Sequence, residues 1–151
     1  MKAALAAMAL LVATPAVAQE RADEPQWIYR DPEGSAGPVA SFLSWNYRAV
    51  VLSASCQAGG TLMIEYFPDV SSVSADPPLL LIVDDLEAPM ATTLENSGAL
   101  TMVGRIPVDD EVRSVVAAGE YFQLDAPNEQ GEPWHLGASE PLQRVVASCG
   151  S

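Results

Sequence analysis

The chain has 151 residues, a formal charge of −13 and an apolar fraction of 49%. That apolar fraction excludes a disordered chain, and the length suffices for one hydrophobic core. The acidity excludes the clustered positive surface that nucleic acids and anionic lipids require, leaves neutral or basic partners favoured, and by itself serves solubility.

Lys2 puts a positive charge at the start, and an apolar run covers residues 3–13. Thr14 and Pro15 break the run, and Ala16-Val17-Ala18 supplies the small-x-small pattern of a cleavage site. This order predicts a signal peptide over residues 1–18, removed on export. The run falls short of the roughly 20 apolar residues that span a bilayer. No Cys lies near the cleavage site, which argues against a lipid anchor. No later stretch reads as a span, so no membrane span is expected after cleavage, and the product is expected to be periplasmic or secreted. Residues 19–25 read as a flexible leader and 26–151 as a single β-rich domain.

Trp27-Ile28-Tyr29 reads as the start of a first strand, and Asp31-Pro32-Glu33-Gly34 as a turn. Residues 39–45 and 48–56 read as strands separated by a turn near Asn46. Residues 57–60 turn the chain into 61–67, where Leu62, Ile64 and Tyr66 alternate with polar Thr61 and Glu65. A period of two marks a half-buried strand, so 48–56 and 61–67 are expected to form a hairpin. Residues 68–78 hold three prolines and several serines and read as a long loop. The apolar run 79–83 reads as a buried strand ended by Asp84-Asp85. Residues 91–94 and 100–106 read as a second hairpin turning at Asn96-Ser97-Gly98.

The period then changes. Asp109-Asp110-Glu111 precedes Val112, Val115 and Val116 at helical spacing, and Gly119 follows, so a helix is predicted over 110–118. Its acidic start satisfies free N–H groups, and the glycine is expected to give a left-handed exit. Residues 120–124 and 134–136 read as strands around a polar turn. Ser139 is expected to cap a last helix with Pro141 in its first turn. Its apolar face carries Leu142, Val145, Val146 and Cys149. Seven or eight strands with two short late helices predict a mostly β fold: an antiparallel β-sandwich or open barrel, with two short helices in its C-terminal half.

Cys56 and Cys149 are the only cysteines. Outside the cytoplasm two such cysteines usually pair, which would tie the last helix to an early strand. Two free thiols, one of them reactive, are the alternative.

No catalytic set stands out. A Ser-His-Asp triad needs a histidine, and the single one, His135, has no Gly-x-Ser-x-Gly elbow to serve; Ser139 lies four residues on. A Cys-His pair would need a free thiol. One histidine and two distant cysteines do not make a zinc site. Asp84, Asp85 and Glu87 lack the spacing of an EF-hand, and read as a solvated strand end or, less simply, a calcium site. Paired carboxylates could hydrolyse a glycoside, but nothing singles out a pair among so many acids. No phosphate-binding glycine pattern occurs, and no cofactor is expected. Trp27, Trp45, Trp134, Tyr29, Tyr47, Tyr66 and Tyr121 read as core more readily than as a binding face.

The order of features resembles the small exported bacterial proteins associated with type VI secretion clusters, and more loosely the invasion-associated locus B type. The shared pattern runs from the Trp27 strand through a strand ending in Cys56, a glycine turn and the alternating strand 61–67. It continues with a helix ending in Gly119, a strand at 121–124, and Trp134-His135-Leu136-Gly137 leading to a helix that ends in Cys149. The chain departs where those proteins carry aromatic-x-Leu-Ser-Gly before the last helix. The resemblance implies a β-sandwich, a Cys56–Cys149 bridge and a non-enzymatic envelope role. The expected function is therefore an exported accessory or binding protein acting by protein–protein contact, with a neutral or basic envelope protein as partner. One alternative is an acidic inhibitor of a basic envelope enzyme such as lysozyme: Cys56 before an alternating strand, and Gly119-Glu120-Tyr121 ahead of Trp134, resemble lysozyme-inhibitor families without their signature motif. A hydrolase using paired carboxylates is the other.

Overall fold

The computed structural model describes residues 26–33, 37–44 and 49–150. The expected signal peptide and leader, Gly34, Trp45, Tyr47 and the turn near Asn46 lie outside them. The described chain forms two antiparallel sheets and two helices, so the mostly β reading stands. The larger sheet has the order β1-β2-β3-β4-β8-β7, made of β1 (Gln26–Arg30), β2 (Val39–Leu43), β3 (Val50–Gln57), β4 (Thr61–Tyr66), β8 (Leu100–Pro107) and β7 (Ala91–Asn96). The smaller has the order β10-β9-β5-β6, made of β10 (Trp134–Gly137), β9 (Phe122–Asp125), β5 (Leu80–Val83) and β6 (Leu86–Pro89).

The expected hairpin forms as β3 and β4, with Ala54 opposite Ile64 and Cys56 opposite Leu62. Leu62, Ile64 and Tyr66 are fully buried, as the alternation requires. The second hairpin forms as β7 and β8. The strand count is higher than seven or eight: ten strands are described, and β6 is the one without a sequence signal. Its Leu86-Glu87-Ala88-Pro89 holds no β-branched residue and exists because β5 pairs with it across a two-residue turn. Asp84 in that turn has φ 53°, a conformation in which aspartate is among the better-tolerated residues.

The two sheets meet at two seams, an arrangement that fits a sandwich or an open barrel. β6 and β7 follow one another through Met90, whose N–H bonds Leu79 O at 2.9 Å. Thr92 Oγ1 donates to Met90 O and accepts from Leu79 N–H, both at 2.9 Å, which fixes the corner. Gly104 leaves room at the corner, where a Cβ would sit 3.0 Å from Met90 Sδ. At the other seam the Trp27 indole donates to Leu136 O at 3.1 Å, linking β1 to β10. Trp27 also meets Phe42 edge to face, 5.3 Å between centroids.

Helix α1 (Asp110–Ala118) is capped by Asp109, whose Oδ1 accepts from Val112 N–H at 2.8 Å. Helix α2 (Glu140–Ser148) is capped by Ser139 through Leu142 N–H, with Pro141 in its first turn. Leu142, Val145 and Val146 are buried, and α2 lies against β1, β2 and β3. Cys149, fully buried just past α2, is bonded to Cys56 near the end of β3, with 5.4 Å between their Cα atoms. The alternative of two free thiols is thereby removed. Arg144 stacks on the Tyr29 ring at 3.8 Å and reaches Asp31 at 3.7 Å, holding α2 to the β1 side.

Neither helix has a basic residue in its last turn. Each instead receives donors from the other. Arg113 of α1 donates to Val146 O, Ala147 O and Cys149 O at 3.2, 3.4 and 2.6 Å. Gln143 Nε2 of α2 donates to Val116 O, Ala117 O and Gly119 O at 3.1, 3.4 and 3.1 Å. The carbonyls left over at each helix end are thus satisfied reciprocally.

The expected left-handed exit at Gly119 is corrected: its φ is −64°, which any residue adopts. Glycine is needed for space, since a Cβ would run into Val83 Cγ1 and lie 3.0 Å from Phe122 Cζ. Two effects oppose each other in Gly119→Ala. A less flexible unfolded chain favours alanine by about 0.4–1 kcal/mol, whereas overpacking costs about 1–3 kcal/mol. The clash involves two buried side chains, so net destabilisation is expected in urea unfolding.

Candidate functional site

An open groove of about 670 Å³ lies between the 68–78 loop and the β9–β10 connection. Its walls begin at Tyr66, the buried end of β4. Tyr66 Oη donates to Pro127 O at 2.6 Å and accepts from the Trp134 indole N–H at 3.1 Å. On the loop side Asp69 Oδ1 accepts from Glu129 N–H at 3.2 Å, so the two walls are joined. Asn128 organises the other wall: its Nδ2 donates to Ala126 O and Glu132 O, and its Oδ1 accepts from Gln130 and Gly131 N–H. These bonds fix the connection as a self-supported turn. The groove between carries Val70, Pro77, Pro78 and Leu80 with the hydroxyls of Ser71 and Ser72 and the carboxylate of Asp125.

Burial pushes the Tyr66 hydroxyl up to about 12, and the negative charge of Asp69 adds to this while the Trp134 bond opposes it. The folded state therefore keeps this proton where the unfolded chain, at about 10, has lost it. Stability from Tyr66 is full below pH 10 and is lost as pH rises from 10 towards 12, by about 2–3 kcal/mol. Tyr66→Phe is expected to flatten that alkaline loss. It should also cost about 1–3 kcal/mol at neutral pH, by stranding the Trp134 N–H and Pro127 O. Chemical unfolding at neutral and alkaline pH measures both.

The other candidates are placed as follows. His135 stands exposed on β10, its Nδ1 shared by Tyr121 Oη at 2.6 Å and Gln123 Nε2 at 3.0 Å. Ser139 is buried and occupied as a helix cap, so the two make no nucleophile–base pair. The bonded Cys56 and Cys149 exclude a Cys-His pair. Asp84 is more than a solvated strand end: its carboxylate accepts from Glu120 and Tyr121 N–H, pinning the chain where it leaves α1. The following strand begins at Phe122 rather than at the expected 120. Among the described residues no group of three His, Cys, Asp or Glu is placed to hold a metal ion. Among the described residues Asp125 is the one carboxylate lining the groove, so no acid pair of theirs converges there. Trp27 and Trp134 are half-buried with their indole N–H groups engaged, Tyr66 is buried, and Tyr121 is exposed. Among the described residues no helix is long and apolar enough to cross a membrane.

Tyr66, weighed in the sequence among the aromatics and read as core, builds the groove with Asn128 and Asp69, which the sequence did not single out. The Asn-x-x-Gly turn at 128–131 was the available signal, since asparagine commonly bonds the backbone two or three residues on. No family model matches the chain, and no curated protein or solved structure matches it significantly.

Proposed function

We propose that this domain is a binding module working outside the cytoplasm, which engages an extended stretch of another envelope protein in the groove beside the 68–78 loop. The observation that carries this reading is a groove whose two walls are tied to each other and to the buried Tyr66 before any partner arrives. Preorganised walls lower the ordering cost of binding. Mixed apolar and hydroxyl lining with one acid suits a peptide backbone and small side chains, and offers no nucleophile with its base. The disulfide supports an oxidising compartment. The charge of −13 favours a neutral or basic partner and speeds encounter with a basic one. The same charge favours a second reading, inhibition of a basic envelope enzyme. Lysozyme activity unchanged by excess protein would remove that second reading.

Photo-crosslinking in the producing cells tests the groove. A benzophenone side chain at Ser72 is expected to give one recurrent adduct, and the same group at Thr93 on β7 none. A groove-filling Ser71→Trp should abolish the Ser72 adduct. Equal adducts from both positions, or an adduct indifferent to Ser71→Trp, would refute binding in the groove.

A further inference from the structure

The floor of the groove is one end of the outer face of the smaller sheet. Side chains alternate along a strand, and on β5 and β9 it is Leu81, Val83, Phe122 and Leu124 that point into the core and are buried. Leu80 and Asp125 point the other way, and the register sets them directly opposite each other. Both line the groove, together with Pro78 two residues before Leu80. The strand ladder itself therefore presents Asp125 to the groove.

Asp125 is exposed, and among the described residues its carboxylate enters no ion pair and no side-chain hydrogen bond. Asp69, by contrast, is occupied with Glu129 N–H. The described arginines are engaged or placed elsewhere. Arg105 is paired with Glu95 on the larger sheet, Arg113 is bonded to the end of α2, and Arg144 lies on Tyr29 and reaches Asp31. Arg30 belongs to β1, an edge of the larger sheet. Water solvates Asp125 while the groove is open. An occupant displaces that water, and a covered carboxylate is strongly unfavourable unless a cation or donors meet it. The described residues supply no such cation, so it has to arrive with the occupant.

Resting on the groove reading above, we infer that the extended segment held there carries an Arg or Lys whose stem lies over Leu80 and Pro78 and whose charged end pairs with Asp125. The apolar neighbours of Asp125 select a long aliphatic stem with its charge at the tip over a compact cation. Ser71 and Ser72, exposed on the loop wall, offer hydroxyls to the backbone of the same segment. A second copy of this chain is the poorer occupant, since it brings a charge of −13 against its like. A calcium ion is poorer as well: one carboxylate and two hydroxyls fall short of the oxygens it takes, and no group of three metal-binding side chains is gathered among the described residues.

Two synthetic peptides test this, capped at both ends and identical except at one position. One is Ala-Val-Ser-Ala-Arg-Ala-Val-Ser; the other has citrulline for Arg, which keeps the stem and removes the charge. Titrated at low salt into the oxidised, isotope-labelled protein, both are expected to shift amides at 70–72, 80, 125, 126 and 128, the Arg peptide with roughly tenfold higher affinity. Asp125→Asn should erase that preference. Asp85→Asn, which removes the same charge from the exposed β5–β6 turn, should leave most of it. Added salt should narrow the gap in the parent protein. Equal binding of the two peptides would overturn the inference and leave the groove standing, as would a preference that survives Asp125→Asn. No shift at these positions with about 1 mM of either peptide would overturn it too. The groove itself is judged by the Ser72 adduct. An adduct of undiminished yield in cells producing Asp125→Asn would sink the basic side chain alone, whereas no adduct in the parent would sink the groove reading whatever the peptides do.

Discussion

Removing the disulfide with Cys56→Ala and Cys149→Ala is expected to lower the melting temperature by roughly 15 °C. The bond joins residues 93 apart in sequence, and closing a loop of that length stabilises a fold by about 4–5 kcal/mol in the chain-entropy model. That is a large share of the roughly 5–15 kcal/mol that holds a domain together. The bond also fastens the end of α2, whose Leu142, Val145 and Val146 fill the space against β1, β2 and β3. Alanine is the better replacement because Cys149 is fully buried and a serine hydroxyl there would need a partner. Calorimetry on the oxidised parent, the reduced parent and the double variant checks this. Loss of only a few degrees would mean that α2 is held by its packing alone.

The second large effect is expected at Arg113. Arg113→Ala removes three charge-assisted bonds from the last carbonyls of α2, including the one to Cys149 O. Bonds to charged groups are worth about 1.5–3 kcal/mol, and a cation at a helix C-terminus adds up to about 2 kcal/mol when partly buried. A loss of about 2–4 kcal/mol is therefore expected. Arg113→Lys should recover only part of it, because one ammonium cannot reproduce a fork that reaches three carbonyls. Gln143→Ala should cost less, about 1–2 kcal/mol, as a neutral donor. The two side chains brace the same helix pair, so their double variant should fall short of the sum by at least about 0.5 kcal/mol. Strict additivity in urea unfolding would show that the two caps act independently.

Much of the fold can be read from local pattern. The alternation of Leu62, Ile64 and Tyr66 places β4, and the boundaries of α1 follow from Asp109 and Gly119. Ser139 and Pro141 likewise mark the start of α2. Local cues work there because each element's own residues supply its ends. β6 escapes because its four residues owe their strand to β5, and the way the two sheets meet escapes because it depends on contacts far apart in sequence. The Trp27–Leu136 bond and the bend at Met90 that Gly104 makes room for have no local signature. Gly119 teaches a related point: the helix end was legible, but the reason for glycine lay in Val83, distant in sequence. The candidate site is similar. The prolines of 68–78 announce a loop, yet only Tyr66, Asp69 and Asn128 show that it faces the 126–133 turn and forms one side of a groove.

The claim beneath all of this is that the chain is exported and closed by one disulfide before it meets a partner. Intact-mass and peptide mapping of protein recovered from the producing cells, alkylated before lysis, tests it most directly. The expected product begins at Gln19, takes up no alkylating agent, and yields one cross-linked peptide containing Cys56 and Cys149. Recovery of chains that retain Met1 and carry two alkylated cysteines would contradict it.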